Sequence, residues 1–171
     1  MKILVLNGSP RTGQNTAAMV NAFKEGAESK GHEVAVVDVA KKEIKGCMAC
    51  EYCHTKGEGK YIIKDGMEDI YPLYAECDMI VFASPIYYFT MTAQIQAAIQ
   101  RVYCMDHPAK ATQAALIITS ASPGTHGGAI EEFKGYCAYC KLDSKGIISA
   151  VGDENQTESK LAEAKAFGAS L

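Results

Sequence analysis

The chain has 171 residues, of which 48% are hydrophobic and 22% charged, and its formal net charge is −3 at pH 7. This length and composition predict one folded globular domain over residues 1–171. We expect no nucleic-acid or membrane partner, because there is no basic run and no apolar run near the roughly 20 residues of a membrane span.

The amino terminus does not resemble a secretory signal, because the apolar stretch at residues 3–6 is short and runs directly into Gly8 and Pro10. The seven cysteines are an odd number and too few for a disulfide scaffold of this length. Free thiols are typical of a reducing compartment, so we expect a cytoplasmic protein.

Strand and helix patterns alternate along the chain. Apolar runs and helical spacing predict strand 2–7, helix 17–29, strand 33–39, helix 67–75, strand 78–84, helix 92–103, strand 114–120, helix 129–140, strand 146–152 and helix 157–168. The strands are almost continuously apolar, as in sheets covered on both faces. The pattern predicts an α/β fold, a doubly wound five-stranded parallel sheet with helices on both faces.

Ligands of such sheets bind beyond the carboxyl ends of the strands. Three connections are therefore candidate binding loops, at residues 7–15, 84–91 and 120–128. A longer irregular connection at about 40–66 carries the first three cysteines. Irregular connections longer than about 15 residues are usually functional or mobile.

The first of these loops contains GSPRTGQNT at residues 8–16, between a strand and a helix, where backbone amides and the helix dipole favour an anion. Arg11 can donate two parallel hydrogen bonds to a phosphate monoester. A nucleoside-triphosphate loop is disfavoured because Gln14 replaces its lysine, and a dinucleotide loop because Pro10 replaces its second glycine. A polar turn that only caps the helix remains the alternative.

NGSPR at residues 7–11, followed by Asn15 and Thr16, resembles the phosphate loop of the flavodoxin-like NAD(P)H-dependent FMN reductases and quinone reductases. SPIYYFTMTAQ at residues 84–94 resembles their flavin-lining segment, and the resemblance extends from residue 2 to about residue 120. It implies the strand order 2-1-3-4-5 and an FMN cofactor. The implied FMN-binding residues are Ser9, Arg11, Asn15 and Thr16 at the phosphate, Pro85, Ile86, Tyr87, Tyr88 and Phe89 beside the isoalloxazine, and Ser120, Ala121 and Gly124 in a third loop.

The resemblance also implies an activity. An NAD(P)H oxidoreductase would pass a hydride through flavin N5 to a small acceptor such as a quinone, free flavin, nitro or azo compound, with no catalytic side chain. Similar proteins are often homodimers or higher homo-oligomers. The alternatives are a non-enzymatic flavin electron carrier, a thiol or iron-sulfur redox-sensing module, and an FMN-free scaffold that binds a partner.

The cysteine loop has the spacing C-x2-C-x2-C at Cys47, Cys50 and Cys53, which is dense enough for metal. The related iron-sulfur flavoproteins carry a fourth cysteine a few residues later, but residues 54–66 contain none, and Gly57 occupies the ferredoxin-type position. This departure argues against a [4Fe-4S] centre, and we predict no metal, with these three cysteines as the only candidate iron ligands.

Two other metal sites could use these cysteines. Zinc would need His54, or Cys137 and Cys140 from across the fold, to complete a tetrahedral ligand set. The haem-attachment spacing at residues 50–54 would require export. Cys137 and Cys140 share an apolar helical stripe with neighbouring residues, which predicts a core position. Cys77 and Cys104 are interpreted as core or helix-end residues.

His126 is the one histidine expected near the rim of the site. It is interpreted either as a proton donor or as a surface residue.

Overall fold

A computed structural model describes the whole chain, Met1–Leu171, and its elements follow the predicted order. They are β1 (Lys2–Asn7), α1 (Asn15–Glu28), β2 (Glu33–Asp38), α2 (Tyr52–Thr55), α3 (Ile70–Glu76), β3 (Met79–Pro85), α4 (Ala93–Arg101), β4 (Gln113–Ser120), α5 (Gly127–Cys140), β5 (Asp143–Val151) and α6 (Glu158–Ala169). None of the helices combines the length and apolar character that crossing a bilayer requires.

Several predicted boundaries were wrong by a few residues. Strand β5 begins at Asp143 because its polar first residues pair with β4 while remaining exposed at the edge of the sheet. An apolar run cannot reveal such residues. The connection predicted as irregular also contains the four-residue helix α2 and a 3-10 turn at Val39–Lys41.

The five strands form one parallel sheet in the order β2-β1-β3-β4-β5. This confirms the predicted flavodoxin-like topology. The order reverses between β1 and β3, and the carboxyl ends of these strands flank the crevice where ligands of such sheets bind.

Alternate residues of β1 face opposite sides of the sheet. Leu4 and Leu6 pack in a larger apolar cluster that contains residues of α3, α4 and α5. Ile3 and Val5 pack in a second cluster with residues of α1 and α6. The sheet is therefore covered on both faces, as its continuous apolar runs predicted.

Two glycines bring α1 and α6 into backbone contact. A Cβ on Gly26 would collide with the backbone of Lys165, and one on Gly168 would collide with the carbonyl of Phe23. The two helices can pack this closely only because both positions lack a side chain.

A buried ion pair holds the cysteine-containing connection against α4. The guanidinium of Arg101 lies 2.6 Å from Asp65 Oδ2 and also donates to Lys45 O and Ile63 O at 2.9 Å each. The exposed fractions of the two paired side chains are 0% and 7%. Burial alone would raise the pKa of Asp65, but hydrogen bonds from Arg101 and from backbone amides hold it below its usual range.

Candidate functional site

An open cleft of about 540 Å³ lies at the carboxyl edge of the sheet. The loops after β1, β3, β4 and β5 meet there. Its volume falls within the roughly 300–1,000 Å³ typical of small-molecule sites. The lining residues are Ser9, Arg11, Gln14, Asn15, Thr16, Pro85, Ile86, Tyr87, Thr119, Ser120, Ala121, Gly152, Asp153 and Asn155.

One end of the cleft is formed by the amino terminus of α1. Gln14, the residue before the helix, makes no side-chain cap, and the first amides of a helix have no acceptor within it. Arg11 is exposed and takes part in none of the nine ion pairs of the chain. This end therefore offers free amides and a free guanidinium, which suit a phosphate.

The loop after β1 is held in shape by its own polar groups. The Ser9 amide donates to Asn7 Oδ1 at 3.1 Å, and the Ser9 hydroxyl donates to Arg11 O at 3.2 Å. Gly8 has no room for a side chain, because a Cβ there would lie 2.6 Å from Thr92 Oγ1. Gly13 has a φ of +68°, a conformation that favours glycine. Glycine therefore suits both positions, Gly8 for lack of space and Gly13 for its backbone conformation.

Thr16 is fully buried, and its hydroxyl lies 2.7 Å from the hydroxyl of Thr119. This bond joins α1 to β4. Since the Thr16 hydroxyl is already paired, what remains for a ligand at this position is the backbone amide.

The loop after β5 also contributes to the cleft. Asn155 is 3% exposed, and its side-chain nitrogen donates to Ser120 O at 2.9 Å and to Gly152 O at 2.6 Å. Asn155 Oδ1 is buried without a hydrogen-bond partner. Gln156 Nε2 donates to Asn15 Oδ1 at 2.7 Å, which ties this loop to α1. Buried acceptors are rarely left unpaired, so Asn155 Oδ1 is placed to receive a donor from a ligand.

The loop after β3 forms a tight turn at the rim of the cleft. Tyr87 and Thr90 exchange backbone hydrogen bonds of 3.1 and 3.3 Å. Between them, Tyr88 and Phe89 have φ values of +48° and +71° and are 96% and 58% exposed. Positive φ at two consecutive residues is the geometry of a tight two-residue turn, and it is costly for residues other than glycine.

His126 contacts the third loop rather than standing free at the surface. Its Nε2 lies 2.8 Å from Ser120 Oγ, and the Ser120 hydroxyl donates to Ser122 O at 2.9 Å. Either His126 Nε2 or the Ser120 hydroxyl can be the donor in this contact. Burial lowers the pKa of His126, which keeps the ring neutral at pH 7.

Nine of the twelve predicted FMN-binding residues line the cleft: Ser9, Arg11, Asn15, Thr16, Pro85, Ile86, Tyr87, Ser120 and Ala121. Tyr88, Phe89 and Gly124 do not line it. Five lining residues were missed: Gln14, Thr119, Gly152, Asp153 and Asn155. Three of them, Gly152, Asp153 and Asn155, follow β5. The sequence pattern could have predicted them, because the carboxyl end of a fifth parallel strand lies at the same edge of the sheet as those of the other strands.

Residues 1–134 match the family model of the NADPH-dependent FMN reductases. The chain belongs to this family. Among its relatives, an iron-sulfur flavoprotein of Archaeoglobus fulgidus is 32% identical over 183 residues, which covers 96% of this chain and 80% of the relative. An iron-sulfur flavoprotein of Methanosarcina thermophila is 35% identical, and that match spans 59% of this chain but only about half, 52%, of the relative.

Solved structures of other flavoenzymes share the fold of this FMN reductase family member. An FMN-dependent NADH-azoreductase of Bacillus anthracis in complex with FMN superposes with a TM-score of 0.69 at 11% identity, over 96% of this chain and 93% of the other. An NAD(P)H:quinone oxidoreductase of Methanothermobacter marburgensis gives 0.68 at 14% identity, over 99% and 94%.

Family membership confirms the predicted enzyme class, an oxidoreductase, and the predicted use of FMN with NAD(P)H as electron donor.

A second, smaller pocket of this chain lies on the cysteine-containing connection. Its lining includes Cys47, Cys50 and Cys53 together with Tyr61 and Tyr103, and it shares no residue with the cleft. The three cysteines differ in exposure: Cys50 is exposed, Cys47 is intermediate and Cys53 is buried. Burial raises the pKa of the Cys53 thiol.

The other cysteines and His54 lie outside this pocket. Cys77, Cys104, Cys137 and Cys140 are buried in apolar clusters, as predicted. The His54 ring contacts Tyr103 O at 3.2 Å instead of the cysteines. No three acidic, cysteine or histidine side chains converge on a point where they would coordinate a single ion.

Proposed function

We propose that the protein uses FMN held in the cleft to reduce a small electron-poor acceptor, such as a quinone, a free flavin, a nitro compound or an azo compound, at the expense of NAD(P)H. The observation that carries the proposal is the cleft itself, which combines an uncapped helix amino terminus, an unpaired arginine and a buried unpaired amide oxygen. The azoreductase and quinone oxidoreductase that share the fold support this acceptor class.

The phosphate of FMN fits the α1 end of the cleft. The loop of residues 8–16 would direct its backbone amides at the phosphate oxygens, and the Ser9 hydroxyl would turn from Arg11 O to donate to them. Arg11 would close over the phosphate from the solvent side. Asn15 keeps its side-chain nitrogen free because only its oxygen is bonded to Gln156.

The flavin ring fits the opposite end, beside Pro85, Ile86 and Tyr87. These residues supply an apolar wall and backbone groups for the edge of a flat heterocycle. Asn155 Oδ1 would accept a hydrogen bond from a donor of the cofactor. When bound, FMN supplies the hydride chemistry, and the chain contributes position, hydrogen bonds and a partly shielded surface.

The chain forms one sheet, and this cleft lies at its carboxyl edge. Donor and acceptor would therefore use the same exposed side of the cleft in turn, which predicts ping-pong kinetics. Parallel double-reciprocal plots with NADPH and a quinone would support this order. Intersecting plots would show that both substrates bind together.

Anaerobic mixing tests the enzymatic reading against the electron-carrier reading. FMN-loaded protein should lose its yellow colour rapidly on addition of NADPH or NADH and regain it on addition of menadione or an azo dye. A flavin that stays oxidised until a separate reductase is added would instead indicate a carrier.

The Arg11→Ala variant tests the phosphate end. Loss of hydrogen bonds from a charged group costs about 1.5–3 kcal/mol, so FMN binding should weaken about 10- to 100-fold with the fold intact. Lys56→Ala, which removes an exposed cation outside the cleft, is the matched control. Equal FMN affinity in the two variants would remove the phosphate role of Arg11.

We also propose that the protein is a homodimer in which the turn at Tyr88 and Phe89 meets the partner subunit. Two aromatic rings that are 96% and 58% exposed at the rim of the cleft are unusual for a free surface and typical of interface anchors. Tyr88→Ser should shift the protein toward monomer in sedimentation experiments. A wild-type chain that is monomeric at all concentrations would contradict the proposal.

The names of the curated relatives raise the question of an iron-sulfur cluster. We infer that the cysteine pocket does not fit one. It presents three thiols where a cluster requires four protein ligands, and residues 54–66 supply no further cysteine. The enclosed volume is only about 10 Å³, and no three cysteine, histidine or acidic side chains converge on a common point.

A further inference from the structure

We propose that Asn7 is a positioning residue that, held by Asp38, shapes the loop of residues 8–16 so that the site selects phosphorylated flavin over riboflavin. The inference rests on the proposed binding of the FMN phosphate at the amino terminus of α1 and deepens it. It assigns a role to two residues that do not line the cleft.

Asn7 lies at the end of β1, next to Asp38 at the end of β2. The two residues are neighbours in the parallel register of the strands, and Asn7 Nδ2 donates to Asp38 Oδ1 at 2.9 Å. Asn7 is 4% exposed. Because it is buried and does not line the cleft, Asn7 can act on a ligand only through the residues that it holds.

The partners of Asn7 fix the direction in which its side-chain amide points. Burial alone would raise the pKa of Asp38, but hydrogen bonds from Lys41 and Asn7 hold it below its usual range. The carboxylate is therefore ionised at pH 7 and can only accept, so the amide nitrogen of Asn7 must face it. The amide oxygen then faces the backbone amide of Ser9, which donates to it at 3.1 Å.

The bond from Ser9 to Asn7 is the first of two consecutive turns in the loop. In the second turn, the Arg11 amide donates to Ser9 Oγ at 3.3 Å. Between Asn7 and Ser9, the Gly8 carbonyl accepts from Thr92 Oγ1 at 3.0 Å. The first part of the loop is thus fixed by polar partners within the chain, and the series begins at Asn7.

The second part of the loop leaves its backbone donors free. The amides of residues 12–17 donate to no acceptor in the chain, and the Ala18 amide is the first to donate along the helix. The first amides of any helix lack partners, and here Thr12 and Gly13 add two more. Such a run suits an anion with several oxygens. The positions of these amides depend on the turns that precede them, and hence on Asn7.

The phosphate is the only part of FMN that riboflavin lacks. Contacts at the flavin-ring end of the cleft are common to both molecules, so only the loop of residues 8–16 can distinguish them. A site built to bond a polar group discriminates strongly against an analogue without that group. A change that loosens this loop should therefore weaken the binding of FMN more than that of riboflavin.

The test is titration of the FMN-free full chain with FMN and, separately, with riboflavin, followed by flavin fluorescence. Wild type is compared with Asn7→Ala, Asp38→Ala and Lys41→Met. Circular dichroism and the melting temperature show whether each variant is folded. The side chain of Asp38 is 35% exposed, so Asp38→Ala provides the test if Asn7→Ala does not fold.

Lys41→Met is the matched control. It removes the other partner of Asp38, whose carboxylate lies 2.6 Å from Lys41 Nζ, and it leaves both bonds of Asn7 in place.

We expect wild type to bind FMN more tightly than riboflavin. In Asn7→Ala the FMN affinity should fall about 5- to 30-fold, the loss expected from one or two buried hydrogen bonds, while the riboflavin affinity changes less than about twofold. Asp38→Ala should show the same selective loss at about 3- to 10-fold, because it removes one of these bonds. Lys41→Met should keep the wild-type ratio of the two affinities.

The outcomes that contradict the proposal do so at different levels. Equal affinities of wild type for FMN and riboflavin would show that the loop holds no phosphate, so the proposed phosphate end would fail together with the role of Asn7. A wild-type preference for FMN that persists in Asn7→Ala and Asp38→Ala would overturn the role of Asn7 alone. An equal loss of both affinities in Asn7→Ala would also overturn it, because Asn7 would then support the whole cleft. A selective loss in Asn7→Ala but not in Asp38→Ala would refute the part assigned to Asp38.

Discussion

The buried ion pair between Arg101 and Asp65 makes the sharpest stability prediction. In Arg101→Met the hydrophobic stem is kept, but three hydrogen bonds from the guanidinium are lost and Asp65 is left buried without a counter-charge. Breaking one side of a buried ion pair costs about 3–5 kcal/mol. For a domain of this size we expect the melting temperature to fall by about 6–20 °C, since each kcal/mol corresponds to roughly 2–4 °C.

The assay is equilibrium urea unfolding of the FMN-free chain, read as a change in midpoint at constant slope. Adding Asp65→Asn to Arg101→Met should restore part of the loss, because it removes the uncompensated charge. Lys134→Met, which breaks the exposed pair with Glu131, should leave stability nearly unchanged. A midpoint for Arg101→Met equal to that of Lys134→Met, or no recovery in the double variant, would refute this account.

The same pair predicts a pH dependence. The pKa of Asp65 is lower in the folded chain than its ordinary value of 3.8. Its contribution to stability is therefore present above pH 3.8 and is lost as the pH falls through the folded pKa. The stability difference between wild type and Arg101→Met should shrink over that acid range.

Three further changes test other parts of the structure. Gly168→Ala should lower the free energy of unfolding by about 1–3 kcal/mol, because its methyl group would force α1 and α6 apart. Gly135→Ala has open space at its Cβ and should be neutral or slightly stabilising in the same urea titration. Asn155→Ala should weaken FMN binding about 5- to 10-fold in a fluorescence titration, through loss of about one hydrogen bond. An unchanged FMN affinity would show that the cofactor does not contact Asn155 Oδ1. Burial lowers the pKa of His126, so the stabilising contribution of the neutral ring is lost as the pH falls from 6.5 through the folded pKa. His126→Gln should therefore lose less stability than wild type over this range. Urea midpoints that change equally between pH 7.5 and pH 5.5 in wild type and variant would contradict this.

Local sequence patterns were sufficient to predict the helices and strands and most of the residues that line the cleft. The continuous apolar runs identified all five strands, and the strand-loop-helix junction at residues 8–16 identified the end of the cleft at which we propose that phosphate binds. These features follow from properties that are periodic or local in the chain, and nine of the twelve predicted FMN-binding residues accordingly line the cleft.

By itself, then, the sequence determined the alternating α/β architecture and the loop that presents Arg11. Only the tertiary structure decided that Arg101 is buried, that Asn155 joins the cleft and that Tyr61 lines the same pocket as the three cysteines. Arg101 and Asp65 are 36 residues apart, and Gln156 and Asn15 are 141 apart. A charged residue on a helix or an asparagine in a loop carries the same local pattern whether it is solvated or buried, and its environment is set by partners that only the fold brings near.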